Sequence, residues 1–103
     1  MIELKSLSDW DFDVLAEGSV VGWVRVLWEE IPRLDCCLLE SAQGKGYALA
    51  ACNEVLELLE NESIPLVCAH CDVENTAALR LLSRLGFELK RICGKTMVWE
   101  AIL

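Results

Sequence analysis

Along the first forty residues the apolar positions follow a short period, and after that a longer one. Ile2 to Leu7 alternates loosely and predicts a first strand, with a polar turn over Ser8 to Asp11 and an extended stretch from Phe12 to Ala16. Glu17-Gly18-Ser19 reads as a hairpin turn. Val20 to Trp28, rich in β-branched and aromatic residues, predicts another strand, in which Gly22 marks a bulge or a close backbone approach. Pro32 places a turn over Glu29 to Arg33, and the short apolar run Leu34 to Leu39 completes a set of hairpin strands.

From Gly46 to Glu60 the period changes. Cys52, Val55, Leu56 and Leu59 share one helical face, while Glu54, Glu57 and Glu60 fall elsewhere. Asn61 to Pro65 stops this helix, and Leu66 to Cys71 has the composition of a buried strand. Asn75 or Thr76 caps a second helix with Ala78, Leu81, Leu82 and Leu85 as its stripe, and Gly86 sits where a C′ glycine ends it. Phe87 to Ile92 and Thr96 to Leu103 are closing strands around a turn at Gly94-Lys95. The order predicts a mixed α/β (α+β) fold with a mainly antiparallel sheet, two main helices and one parallel pairing across the strand–helix–strand passage.

The chain has 103 residues, which makes one domain over 1–103 the expectation. A hydrophobic share of 54% predicts a packed core rather than disorder. No apolar run reaches the roughly 18–20 residues that span a bilayer, and Met1 to Trp10 lacks the pattern of a signal peptide. The expectation is a cytoplasmic protein with no membrane partner and its six cysteines reduced. A net charge of −8 speaks against nucleic acid, whose binding rests on Lys and Arg, and suits a cationic acceptor such as an amine.

The chemistry concentrates at Gln43-Gly44-Lys45-Gly46-Tyr47-Ala48, immediately before the first helix. Glycines let backbone approach a ligand, and a helix N-terminus offers free N–H groups and a positive dipole end, which together suit a pyrophosphate. Gln43 and Lys45 are side-chain donors beside it. Neither a Walker A loop nor a G-x-G-x-x-G fingerprint is present. Cys68-x-x-Cys71, with His70 and the Cys36-Cys37 pair, raises zinc as an alternative. In a strand, three-residue spacing sends the two sulfurs to opposite faces, and there is no second C-x-x-C, so no metal is expected.

Gln43-x-x-Gly46-x-Ala48 resembles the Q/R-x-x-G-x-G/A motif of the GNAT superfamily of N-acetyltransferases. The block Asn75-x-Ala77-Ala78-x-Arg80-Leu81-Leu82-x-Arg84-Leu85-Gly86-Phe87 is similar to that family's second motif helix. With the strand block Ala69 to Asn75 it looks nearest to the ribosomal-protein N-terminal acetyltransferases. The resemblance implies a GNAT-like fold and acetyl-CoA as co-substrate, its pyrophosphate on the amides of Gly44 to Ala48, Gln43 and Tyr47 included in the site. It implies that the strand residues Leu38, Leu39 and Glu40 splay and pair with the pantetheine arm, that Asn75 holds that arm or the strand end, and that Arg80 and Arg84 meet the phosphates.

Acetyl transfer to a primary amine requires a base, an oxyanion donor and, where the thiolate does not leave unaided, an acid. His70, the only histidine, is the first candidate base; it stands where related ribosomal-protein enzymes carry a catalytic glutamate. Asp35, Glu40 and Glu30 are fallback bases, and a backbone N–H near Leu38 is the oxyanion donor. The family's usual tyrosine position holds Leu82, and the serine position of the ribosomal-protein branch holds Ala78; Ser83 and Cys71 are the substitutes. The two helices that the family inserts after its first strand have no counterpart here. That leaves an open acceptor side, the expectation of a homodimer, and a competing reading as a non-catalytic CoA-binding or interaction module. Trp10, Trp23 and Trp28 are candidates for that surface, although large aromatics more often serve as core.

Overall fold

In the computed structural model, which describes residues 2–103, seven strands form one sheet in the order β1-β2-β3-β4-β5-β7-β6. Met1, the first residue of the expected domain, lies outside the described residues. The strands are β1 (Ile2–Ser8), β2 (Asp11–Ala16), β3 (Ser19–Leu27), β4 (Arg33–Leu38), β5 (Leu66–Asp72), β6 (Glu88–Cys93) and β7 (Thr96–Ile102); the helices are α1 (Tyr47–Asn61) and α2 (Thr76–Arg84). All neighbouring strands are antiparallel except β4 and β5, which the crossover helix α1 makes parallel. The strand–helix order predicted this mixed topology.

The turns form where the sequence permits positive φ. Glu17 and Gly18 both take it, at 52° and 81°, giving the two-residue turn whose twist suits a hairpin. α2 ends in a Schellman arrangement, with Gly86 N–H on the Ser83 carbonyl and Phe87 N–H on that of Leu82. At the end of α1 a serine does the same work: Ser63 takes φ 60° and its N–H bonds the Glu60 carbonyl.

Alternation along the strands separates two faces. Val14, Val24, Val26, Leu34, Val67, Ala69, Trp99 and Ala101 point to one face and are buried. Against them α1 sets Cys52, Val55, Leu56 and Leu59, and α2 sets Leu82, so both helices cover the same face. Leu59 and Val55 are fully buried, as the helical period predicted. The opposite face, with Trp23, Arg25, Asp35, Cys37 and His70, carries no helix among the described residues. β1 and β2 are joined by Asp9 and Trp10 alone, and Trp10 stacks edge-on against the half-exposed Trp28 at 5.4 Å. Trp23 lies flat under the Arg25 guanidinium at 4.2 Å on the open face.

Gly22 satisfies both expectations for a strand glycine. The β2–β3 register shifts beside it, and a Cβ built there would collide with the Cys37 carbonyl oxygen on β4. Gly22→Ala therefore forces β3 and β4 apart and is expected to cost about 1–3 kcal/mol. Urea unfolding checks it; an unchanged midpoint means the strands are not in close approach there.

Candidate functional site

β4 and β5 meet at one register pair only, Arg33 with Cys68, where the Cys68 N–H bonds the Pro32 carbonyl at 2.8 Å. Beyond it they part. Leu39 donates its N–H back to Val21 of β3, so the antiparallel alternation turns the N–H groups of Cys36 and Leu38 away from β3 and into the gap. No ladder partner meets them there among the described residues. A crevice at the carboxyl ends of parallel strands is where open α/β sheets take ligands.

Two cavities occupy this gap and run together. The larger, about 420 Å³, is lined by Cys36, Cys37 and Leu38 of β4, by Gln43, Gly44, Gly46, Tyr47, Ala48 and Leu49 at the start of α1, and by Asn75, Ala77, Ala78, Arg80, Leu81 and Arg84 of the α2 region. The smaller, about 160 Å³, includes Asp35, Cys36, Cys52, His70, Cys71, Asn75 and Ala78. Cys36, Asn75, Ala78 and Leu81 form the shared wall.

The mouth of the larger cavity is an anion cradle by construction. Gly44 and Gly46 take φ of 78° and 81°, a region open to glycine at little cost, and nothing stands where their Cβ atoms would be. Residues 44–49 donate no backbone hydrogen bond among the described residues, and no side chain caps α1. No acidic residue lies in the first turn of α1, so nothing competes for its positive dipole end. Arg80 and Arg84, one turn apart on α2, rim the cavity, and no carboxylate pairs with them or with Lys45 among the described residues. On a chain of net charge −8 that concentration of free cations is a local reversal of sign.

Nine of the twelve residues expected at the cofactor site line this cavity: Leu38, Gln43, Gly44, Gly46, Tyr47, Ala48, Asn75, Arg80 and Arg84. Leu39, Glu40 and Lys45 do not. β4 stops at Leu38; Leu39 has its N–H on Val21 and its carbonyl on Ala42, and Glu40 opens a short 3₁₀ turn whose carbonyl accepts from Gln43. The free strand edge is thus Cys36 and Leu38 rather than Leu38 to Glu40. Gln43 faces inward and ties its Nε2 to the Leu38 carbonyl at 3.3 Å, fixing the loop to the strand end. Asn75, not Thr76, caps α2: its Oδ1 accepts from Ala78 N–H at 3.0 Å.

His70 and Ser83 have different fates. His70 lines the smaller cavity from β5, and its Nδ1 meets the Arg33 Nη1 at 3.1 Å, while Arg33 also donates to Glu29 at 3.2 Å. With Nδ1 accepting, the neutral ring carries its proton on Nε2. Ser83 is exposed on the outer side of α2 and lines neither cavity, because the helical turn that faces Leu82 inward turns its neighbour to solvent. As a proton donor Ser83 is corrected by this placement. Cys68 and Cys71 point to opposite faces, as strand alternation requires, and burial pushes both thiols up.

The model of the acetyltransferase (GNAT) domain family matches residues 2–88. The chain belongs to the GNAT acetyltransferase domain family. No curated protein matches it. Among solved structures, a domain from Methanocaldococcus jannaschii superposes with a TM-score of 0.82 at 20% identity, covering 90% of this chain and 66% of that one. The paia N-acetyltransferase of Thermoplasma acidophilum, in complex with coenzyme A, gives 0.82 at 13% identity over 90% of this chain and 60% of its own. The ribosomal-protein-S5-alanine acetyltransferase of Vibrio fischeri gives 0.78 at 19% identity over 89% and 60%. This GNAT domain therefore spans less than two thirds of each of these three chains. At such identities the likeness speaks for the fold.

Sequence reasoning missed Cys36, Cys37, Leu49, Ala77, Ala78 and Leu81 as lining residues of this GNAT cleft. Cys36 was legible as the residue two before Leu38, hence on the same edge, and Ala77, Leu81 and Arg84 share a helical face with Arg80's turn. The cap gives a direct test. Asn75→Ala removes the Oδ1 acceptor and is expected to cost about 1 kcal/mol, whereas Asn75→Asp keeps it and costs little. Thermal unfolding of the two variants checks this, and equal losses would show that the cap is not what holds α2.

Proposed function

We propose that this domain transfers an acetyl group from acetyl-CoA to a primary amine by direct attack on the thioester. The run of unpaired amides from residue 44 to 49, at the mouth of a cavity with two free arginines, carries the reading. The diphosphate sits on those amides, with Arg80, Arg84 and the outward Lys45 contributing charge. The pantetheine arm runs along the free edge of Cys36 and Leu38 past the side-chain amide of Asn75. The thioester then lies between Leu38 and the shared wall, where the Leu38 N–H meets the developing oxyanion.

The amine approaches from the open face, where Asp35 and His70 stand at the smaller cavity. His70 accepts a proton at Nδ1 once Arg33 releases it. Asp35, held 3.7 Å from Arg25, is the anionic group on the same rim and the alternative route through water. With Leu82 and Ala78 at the family's donor positions, coenzyme A leaves as the thiolate. The absence of a donor also favours a second reading, a CoA-binding module without turnover.

We place the acceptor among protein N-terminal amines, in line with the S5-alanine acetyltransferase likeness, and the protein in the cytoplasm. A second copy pairs as a homodimer over the part of the open face around Trp23, leaving Asp35 and His70 free for the amine.

Two outcomes follow. Arg80→Ala and Arg84→Ala are each expected to weaken acetyl-CoA by about 1 kcal/mol, several-fold in Kd by calorimetry, without a change in melting temperature. His70→Ala is expected to lower kcat by roughly 10²–10⁴-fold while leaving that Kd intact. Unaltered turnover hands the proton to Asp35, and no coenzyme A release by the parent domain with any amine leaves the non-catalytic reading standing.

A further inference from the structure

The cavity wall holds a group that the transfer reaction does not use. Cys36 lies three residues beyond Arg33 on β4, and Cys71 three beyond Cys68 on β5, so the two stand at matching heights across the parted strands. Cys52 of α1, 1% exposed, lies behind Cys36. All three thiols line the smaller cavity, but only Cys36 also lines the larger one.

We propose that Cys36 is a covalent modification site, at which the thiol end of a pantetheine-type ligand held in the groove is captured as a mixed disulfide. The proposal rests on the acetyl-CoA reading of the groove, which brings the ligand's sulfur to the shared wall. The thiols differ in kind. A hydrogen bond from Cys52 draws the Cys36 thiol below its ordinary value, against burial and the Asp35 carboxylate, which raise it. The Cys52 thiol is pushed far up, by that same hydrogen bond first and by burial second, and burial raises Cys71. A thiolate is the nucleophile in disulfide exchange, and Cys36 is the one of the three thiols that faces both cavities, so Cys36 is the reactive member.

The co-reactant is the symmetric disulfide of the ligand thiol, CoA disulfide. Cys36 loses its proton to solvent and its Sγ attacks the nearer sulfur. The Cys36–sulfur bond forms, the ligand's S–S bond breaks, and the second CoA leaves as thiolate with the electron pair. The Cys36 thiol is oxidised and the disulfide reduced. The tethered nucleotide then fills the cradle and excludes acetyl-CoA until a small thiol reverses the exchange.

The test uses the full chain carrying Cys37→Ser and Cys93→Ser, which removes the two exposed thiols. It is treated with CoA disulfide or glutathione disulfide and followed by non-reducing intact mass and peptide mapping; reduced CoA binding is followed separately by thermal shift. The expected result is a mass gain of one CoA at Cys36, reversed by dithiothreitol. It forms roughly tenfold or more faster than the glutathione adduct, because the groove supplies the orientation. Cys36→Ser, or Cys36→Ala if serine is not tolerated, abolishes the gain, and Cys52→Ala slows it. If reduced CoA raises the melting temperature while Cys36 stays unmodified, capture is overturned and the groove reading survives. If reduced CoA gives no shift and both disulfides label Cys36 at one rate, the groove reading and the capture fall together.

Discussion

The parting of β4 from β5 beyond the Arg33–Cys68 pair is the constraint on which the rest of the structure depends. A sheet interior ordinarily satisfies every backbone group by strand pairing, and leaving N–H groups unpaired is costly. Here the groups at Cys36 and Leu38 face a gap that the start of α1 and the α2 region line. The sheet is built on both sides of a slot, which leaves room for an extended ligand with its own amides.

The two helix N-termini at that slot are treated differently. α2 is closed by Asn75, whose side chain satisfies one of its first amides. α1 starts from Gly46 with no cap and with its preceding amides also free. The uncapped end lies between cations that have no carboxylate partners among the described residues, in a chain that is otherwise strongly acidic. A self-contained fold gains nothing from that combination. The arrangement is one that suits an anion.

The same asymmetry appears in the layers. Both helices cover one face, where the large aliphatic residues and Trp99 are buried. The other face offers Trp23 under Arg25, the Asp35–Arg25 ion pair and the Arg33–His70 contact. In this domain the face opposite the helices is therefore formed by the sheet itself, with the short β1–β2 link of Asp9 and Trp10 leaving it open.

The sequence by itself determined the element order, the helix ends and the glycine turn that leads into α1. Period-2 and period-3.6 patterns, a turn at Glu17-Gly18 and a glycine after Leu85 are local signals, each set by the conformational range of a few residues. Tertiary structure decided what those signals do not contain. That β4 ends at Leu38, so that Leu39 and Glu40 turn back rather than face the groove, depends on a hydrogen bond to Val21 of another strand. That Ser83 faces solvent while Cys36, Cys52 and Cys71 share one cavity depends on how α1 and α2 are set on the sheet. That Arg33 holds His70 depends on a parallel register across 37 residues of sequence. Each is a relation between segments distant along the chain, fixed by packing and pairing, and no single stretch of residues encodes it.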